Sequence, residues 1–120
     1  MSNPLALIIE DDPDAAAIFA EALKAAQFEI EVVTRGDKAL ERLTVTQPAV
    51  VVLDMHLPHV AGPDILHYIR SNAQLADTQV IVATADPGMA DTHTLGEQVA
   101  LVLLKPISFS QLRDLAKRLR

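Results

Sequence analysis

Ala49-Val50-Val51-Val52-Leu53-Asp54 is an apolar run that breaks off at a single carboxylate, and it is followed by His56-Leu57-Pro58 and then Gly62-Pro63. Five consecutive apolar residues with no helical period predict a strand buried on both faces, as strands of parallel sheets are. Asp54 then stands at the strand's carboxyl end. In open α/β sheets that edge is where ligands bind, so a charge there is placed for chemistry.

Three further runs repeat the pattern. Leu5-Ala6-Leu7-Ile8-Ile9 ends in Glu10-Asp11-Asp12-Pro13-Asp14, Gln79-Val80-Ile81-Val82-Ala83 ends in Thr84, and Val99 to Leu104 ends in Lys105-Pro106. All three are predicted as buried strands. Phe28-Glu29-Ile30-Glu31-Val32-Val33 alternates apolar and acidic residues, which predicts an edge strand with one wet face.

Helical spacings fall between the strands. Ile18, Phe19, Ala22, Leu23 and Ala26 make one inward stripe on a helix from Ala15 to Ala26. A second helix is predicted over Gly36 to Thr46 through Ala39, Leu40 and Leu43, with Pro48 beyond its end. A third opens at Gly62-Pro63-Asp64 and runs to about Ser71, with Ile65, Leu66 and Ile69 inward. Asp86 to Gln98 is poor helix material, holding Pro87, Gly88, three threonines and Gly96. Ser108 and Gln111 form a capping box for a last helix striped by Phe109, Leu112, Ala116 and Leu119.

Strands alternating with helices give a five-stranded, doubly wound parallel sheet with helices on both faces, within one domain over residues 1–120. No repeat or linker interrupts it. Aromatics number only four, Phe19, Phe28, Tyr68 and Phe109, so aliphatic residues must build the core and little remains to stack bases. The net charge of −6 argues against nucleic acid or an anionic membrane surface as a partner. There is no cysteine, hence no thiolate metal site or disulfide. Leu5 to Ile9 is too short for a signal core or a span, which predicts a cytoplasmic protein.

In a parallel sheet all carboxyl ends share one edge, so Glu10, Asp11, Asp54, Thr84 and Lys105 are expected to converge. Clustered carboxylates repel unless a cation or protons compensate. An all-oxygen site open to water suits Mg²⁺, with Asp11 and Asp54 as direct ligands and a backbone carbonyl and water completing the shell. The Lys105 ammonium and the Thr84 hydroxyl would complete a cradle for a phosphoryl group. A carboxylate inside such a cradle can act as nucleophile and become an acyl phosphate. Asp12 and Asp14, in a first helical turn, have a structural role through the helix dipole.

The whole chain resembles the receiver domain of two-component response regulators, the CheY-like family. The matching features are Glu10-Asp11, Asp54-Met55-His56-Leu57-Pro58 with Gly62, Thr84-Ala85 and Lys105-Pro106. The resemblance implies the flavodoxin-like strand order 2-1-3-4-5. It also implies that Asp54 accepts phosphate from a histidine kinase or phosphotransfer protein. Asp11, Asp54 and the His56 backbone carbonyl would bind Mg²⁺, Glu10 would assist through water, and Thr84 and Lys105 would contact the phosphoryl oxygens. It further implies a cis peptide between Lys105 and Pro106, and it places His56 and Asp86 beside the pocket, where such positions tune phosphate lifetime. An unidentified downstream protein would read the modified state, possible homodimers included, and no output domain is expected in this chain.

One position departs from the family. Most members carry an aromatic residue three positions before the lysine, where this chain has Val102. Any response to phosphorylation is therefore expected in the backbone from Ala85 to about Gln98. A receiver-like interaction module that works without phosphorylation is the main alternative. A Mg²⁺-dependent phosphohydrolase of the haloacid dehalogenase type is another, but it needs a second carboxylate where His56 stands, and a cap. A flavin carrier fails because Glu10-Asp11-Asp12 would repel its phosphate. His56, His59, His67 and His93 show no zinc-site spacing. Arg113, Lys117, Arg118 and Arg120 read as a solvated basic face.

Overall fold

The structure, a computed structural model, describes residues 3–88 and 98–120. In chain order it contains β1 (Leu5–Ile9), α1 (Pro13–Ala25), β2 (Glu29–Val33), α2 (Gly36–Leu43), β3 (Val50–Asp54), α3 (Gly62–Ser71), a short 3-10 turn (Ala73–Leu75), β4 (Gln79–Thr84), β5 (Leu101–Leu104) and a last helix, α4 (Phe109–Lys117). Most of the segment from Asp86 to Gln98, and His93 with it, lies outside the described residues. The strands form one parallel sheet in the order β2-β1-β3-β4-β5.

Successive strand residues point to opposite faces, and the two cores divide accordingly. Ala6, Ile8, Val50, Val52, Ile81 and Ala83 meet Phe19 and Leu23 of α1 and Leu112 and Ala116 of α4. Leu7, Ile9, Val51, Leu53, Val80 and Val82 meet Leu43 of α2 and Ile65, Leu66 and Ile69 of α3. β3 lies between β1 and β4, and every one of its residues is buried. Burial of a Val or Leu side chain stabilises the fold by about 1.5–3 kcal/mol, so the centre of the sheet is its firmest part.

Local chemistry sets the helix ends. Asp12 is extended and its carboxylate accepts from the Ala15 N–H at 3.2 Å, while Pro13 needs no donor in the first turn. α1 closes with Gln27 in the left-handed region at φ 70°. The N–H groups of Gln27 and Phe28 then donate to the carbonyls of Lys24 and Leu23, both at 3.0 Å, and Phe28 packs into the same core as Leu23. The Ser108 hydroxyl accepts from the Gln111 N–H at 3.1 Å to start α4.

Five expectations change. Val99 to Leu104 is not one buried strand: β5 spans only Leu101–Leu104, and of these Leu103 alone is buried, because among the described residues this outermost strand has a neighbour on one side only. The second helix ends at Leu43 rather than Thr46, since the Thr44 and Thr46 hydroxyls donate back to the carbonyls of Glu41 and Arg42 at 2.6 and 2.7 Å. Ile18 does not join the inward stripe of α1, being 42% exposed, and Phe109 is also on the surface. Val32, expected to alternate with acids toward the core, is exposed at the sheet edge.

Candidate functional site at the carboxyl edge of the sheet

Four of the predicted residues stand at strand ends. Glu10 follows β1, Asp54 ends β3, Thr84 ends β4 and Lys105 follows β5. The ladder continues past them: Glu10 donates its N–H to Val33, Met55 to Ala83 and Lys105 to Thr84, at 3.1, 3.3 and 2.7 Å. Backbone pairing therefore fixes where these side chains begin. Carboxylate oxygens of Glu10, Asp11 and Asp54 lie within 4.8 Å of one another. Glu10 and Asp54 are buried, and Asp11 is exposed and opens the group to water.

Lys105 reaches over this cluster. Its Nζ is 2.5 Å from Glu10 Oε1 and 3.7 Å from Asp54 Oδ1. The ion pair with Glu10 is the closer of the two and engages Oε1 directly in the interior. Glu10 Oε2 accepts from the Asp12 N–H at 3.2 Å, and Asp54 Oδ1 accepts from the His56 N–H at 3.1 Å. The buried Thr84 hydroxyl accepts from the Asp86 N–H at 3.1 Å, which leaves its hydrogen to donate. Asp86 in turn accepts from Gly88 at 2.9 Å, so the loop leaves β4 in two successive side-chain-capped turns.

Burial first, and then the neighbouring Glu10, push the Asp54 carboxyl up to about 7, against the opposing pull of the His56 N–H. Burial also works against the charge on Lys105. The ion pair with Glu10, reinforced by Asp54 and Asp11, outweighs it and leaves the ammonium held above its ordinary value. The site thus carries more negative charge than its one lysine neutralises. A donor set of carboxylate oxygens only, from two buried acids and one open to solvent, fits a hard divalent cation such as Mg²⁺.

Other singled-out residues stay apart. Asp12 serves as the cap of α1. His56 adjoins the site through its N–H. His59 is exposed in the β3–α3 loop at φ 74°, and His67 faces Ser71 on α3 at 3.5 Å. In the basic stretch, Arg113 pairs with Asp114 at 2.9 Å and lies over the Phe109 ring, and Arg120 donates to Gln27 at 2.7 Å. Sequence reasoning missed the Glu10–Lys105 pair. The signal was present, since a buried acid needs a cation and Lys105 directly follows a strand whose carboxyl end lies on this edge. It also missed a cleft of about 400 Å³ beside Lys105, lined by Asp14, Ile18, Phe19, Ala85, Pro106 and Ile107. The exposure of Ile18 follows from its place there. The Lys105–Pro106 peptide is cis.

A family model described as the response regulator receiver domain matches residues 6–117. The sensor histidine kinase TmoS of Ectopseudomonas mendocina is 31% identical over 112 residues, which are 92% of this chain and 11% of that protein. A putative transcriptional regulator of Haloferax volcanii is 33% identical over 119 residues, 98% of this chain and 19% of that protein. The chain therefore spans less than a fifth of either relative. Among solved structures, the signal receiver domain of a putative LuxO repressor protein from Vibrio parahaemolyticus superimposes with a TM-score of 0.86 at 27% identity, covering 98% of this chain and 89% of that one.

Proposed function

Because the chain belongs to the response regulator receiver domain family, we propose that Asp54 is its phosphoacceptor and that a histidine kinase or phosphotransfer protein is the donor. The observation that carries this reading is the placement of a buried carboxylate at the end of the central strand, with a lysine ammonium 3.7 Å from its Oδ1. An Asp54 oxygen attacks phosphorus, the bond from phosphorus to the donor's imidazole nitrogen breaks, and the imidazole leaves with the bonding pair. The Lys105 ammonium and the Thr84 hydroxyl donate to the transferring oxygens, where negative charge concentrates. Asp11 and Asp54, with the His56 backbone carbonyl and with Glu10 through water, would hold Mg²⁺, which when bound neutralises the carboxylates and the phosphoryl oxygens. The apolar cleft bounded by Ile18, Phe19 and Ile107 gives an incoming donor protein a surface next to Lys105. A downstream protein then reads the modified state, and the domain works in the cytoplasm. Family membership favours this reading over a phosphohydrolase. Among the described residues no helix is long and apolar enough to cross a membrane.

Acetyl phosphate with Mg²⁺, followed by intact mass, tests the chemistry without the cognate kinase. One phosphoryl group is expected on the native chain, and none on Asp54→Asn, on Asp11→Ala or in excess chelator. Equal modification of Asp54→Asn would refute the acceptor, and an unmodified native chain would leave the pocket as a docking module.

A further inference from the structure

The β3–α3 loop, from Met55 to Ala61, carries the His56 N–H that holds Asp54 Oδ1, and it is pinned from outside the site. Gly36, the buried first residue of α2, sits against its crest. A Cβ on Gly36 would overlap the Val60 carbonyl oxygen and stand 2.8 Å from the Val60 Cβ and 3.1 Å from its carbonyl carbon. These atoms are backbone or next to it, so no side-chain rotation relieves the overlap. At the loop's far end Gly62 packs just as closely, where a Cβ would come 2.5 Å from Met55 Cα and 2.7 Å from the Asp54 carbonyl oxygen. Between these two contacts the loop folds sharply. The Val60 N–H donates to the Pro58 carbonyl at 2.9 Å, and His59 is in the left-handed region at φ 74°, which a non-glycine residue keeps only where its surroundings enforce it.

We propose that Gly36 is a positioning residue for Asp54: its missing side chain lets α2 seat on Val60, and that seat holds the loop so that the His56 N–H fixes the orientation of the Asp54 carboxylate. The part played by Asp54 in this statement rests on the phosphoacceptor reading. The path runs from α2 through Val60 and the His59 turn to His56, and Gly36 touches none of the reacting groups.

Gly36→Ala tests it, because alanine in a first helical turn ordinarily favours the helix and any loss must come from the contact. Val60→Gly loosens the same contact from the other side, and Ala116→Gly in α4 controls for general loss of stability. Two readouts are needed: amide hydrogen exchange at His56 in the metal-free domain, and the rate of modification by acetyl phosphate with Mg²⁺. Faster His56 exchange by about tenfold and slower modification by about tenfold are expected in Gly36→Ala and Val60→Gly, but not in Ala116→Gly. If Gly36→Ala fails to fold, Val60→Gly carries the test alone. Native His56 exchange in both Gly36→Ala and Val60→Gly would overturn the proposal, as would native modification rates in both when the native domain is itself modified, or equal changes in Ala116→Gly. A native domain that gains no phosphoryl group, with His56 exchange still raised in the loop variants, would refute the phosphoacceptor reading and support the positioning of the carboxylate.

Discussion

β3 and β5 each deliver one charged group to the site, and they hold it by different means. β3 is the central strand, Leu53 beside Asp54 is 0% exposed, and the acid is placed by the core beneath it. β5 is an edge strand, Leu104 beside Lys105 is 48% exposed, and the lysine is placed by its ion pair with Glu10 and by one ladder bond to Thr84. Asp54 is thus fixed by packing and Lys105 by electrostatics. A group fixed by packing has little freedom to follow a ligand, whereas one fixed by a charge can exchange that partner for a phosphoryl oxygen of the same sign.

Leu53→Ala should be the most damaging change, lowering stability in chemical denaturation by about 2–5 kcal/mol, because it opens a cavity in the core between the central strand and α2 and α3. Next in size is a pH effect. Asp54 keeps its proton in the folded metal-free domain up to about 7, whereas the unfolded chain releases it near the ordinary carboxylate value. Between those two values the native state binds more protons, so stability falls as pH rises from about 4 to about 7. Asp54→Asn should flatten that slope and be the more stable protein at neutral pH, as followed by thermal unfolding across pH.

Lys105→Met should cost about 1–3 kcal/mol, by stranding Glu10 in the interior without its cation. Adding Glu10→Gln should restore most of that stability without restoring modification by acetyl phosphate. Recovery of both would show that Lys105 serves only Glu10. The smallest effect belongs to Leu104→Ala, expected within about 0.5 kcal/mol of the native protein although it adjoins Lys105. A loss there as large as that of Leu53→Ala would erase the distinction between the two strands.

Where the sequence was legible follows from the same contrast. The runs that became β1, β3 and β4 are apolar throughout because helices cover both their faces, and each ends in a polar residue where the cover stops. β5 is nearly as apolar, and nothing in Val99 to Leu104 distinguishes an edge position from a central one; only the strand order does. Glu10, Asp11, Asp54, Thr84 and Lys105 could be named because parallel strands bring their carboxyl ends to a common edge. The pairing of Lys105 with Glu10, the tight seat of Gly36 on Val60 and the left-handed turn at His59 depend on distances between segments far apart in the chain, which no periodicity encodes. Ile18 fits a helical stripe by spacing, yet it borders a cleft beside Lys105.

The two outer strands bear on how this domain behaves when many copies are crowded together. Among the described residues each leaves a row of backbone donors and acceptors without a strand partner, a template on which another chain could add and begin a fibril. β2 answers with charge: Glu29 is exposed, and Glu31 grips the Arg42 guanidinium through two contacts of 2.5 and 2.9 Å, so that an arriving strand would have to desolvate an ion pair. β5 answers with brevity, four residues that run into a proline within two positions of its end. Aggregation resistance is thereby written into the margins of the sheet, in residues that take no part in its chemistry.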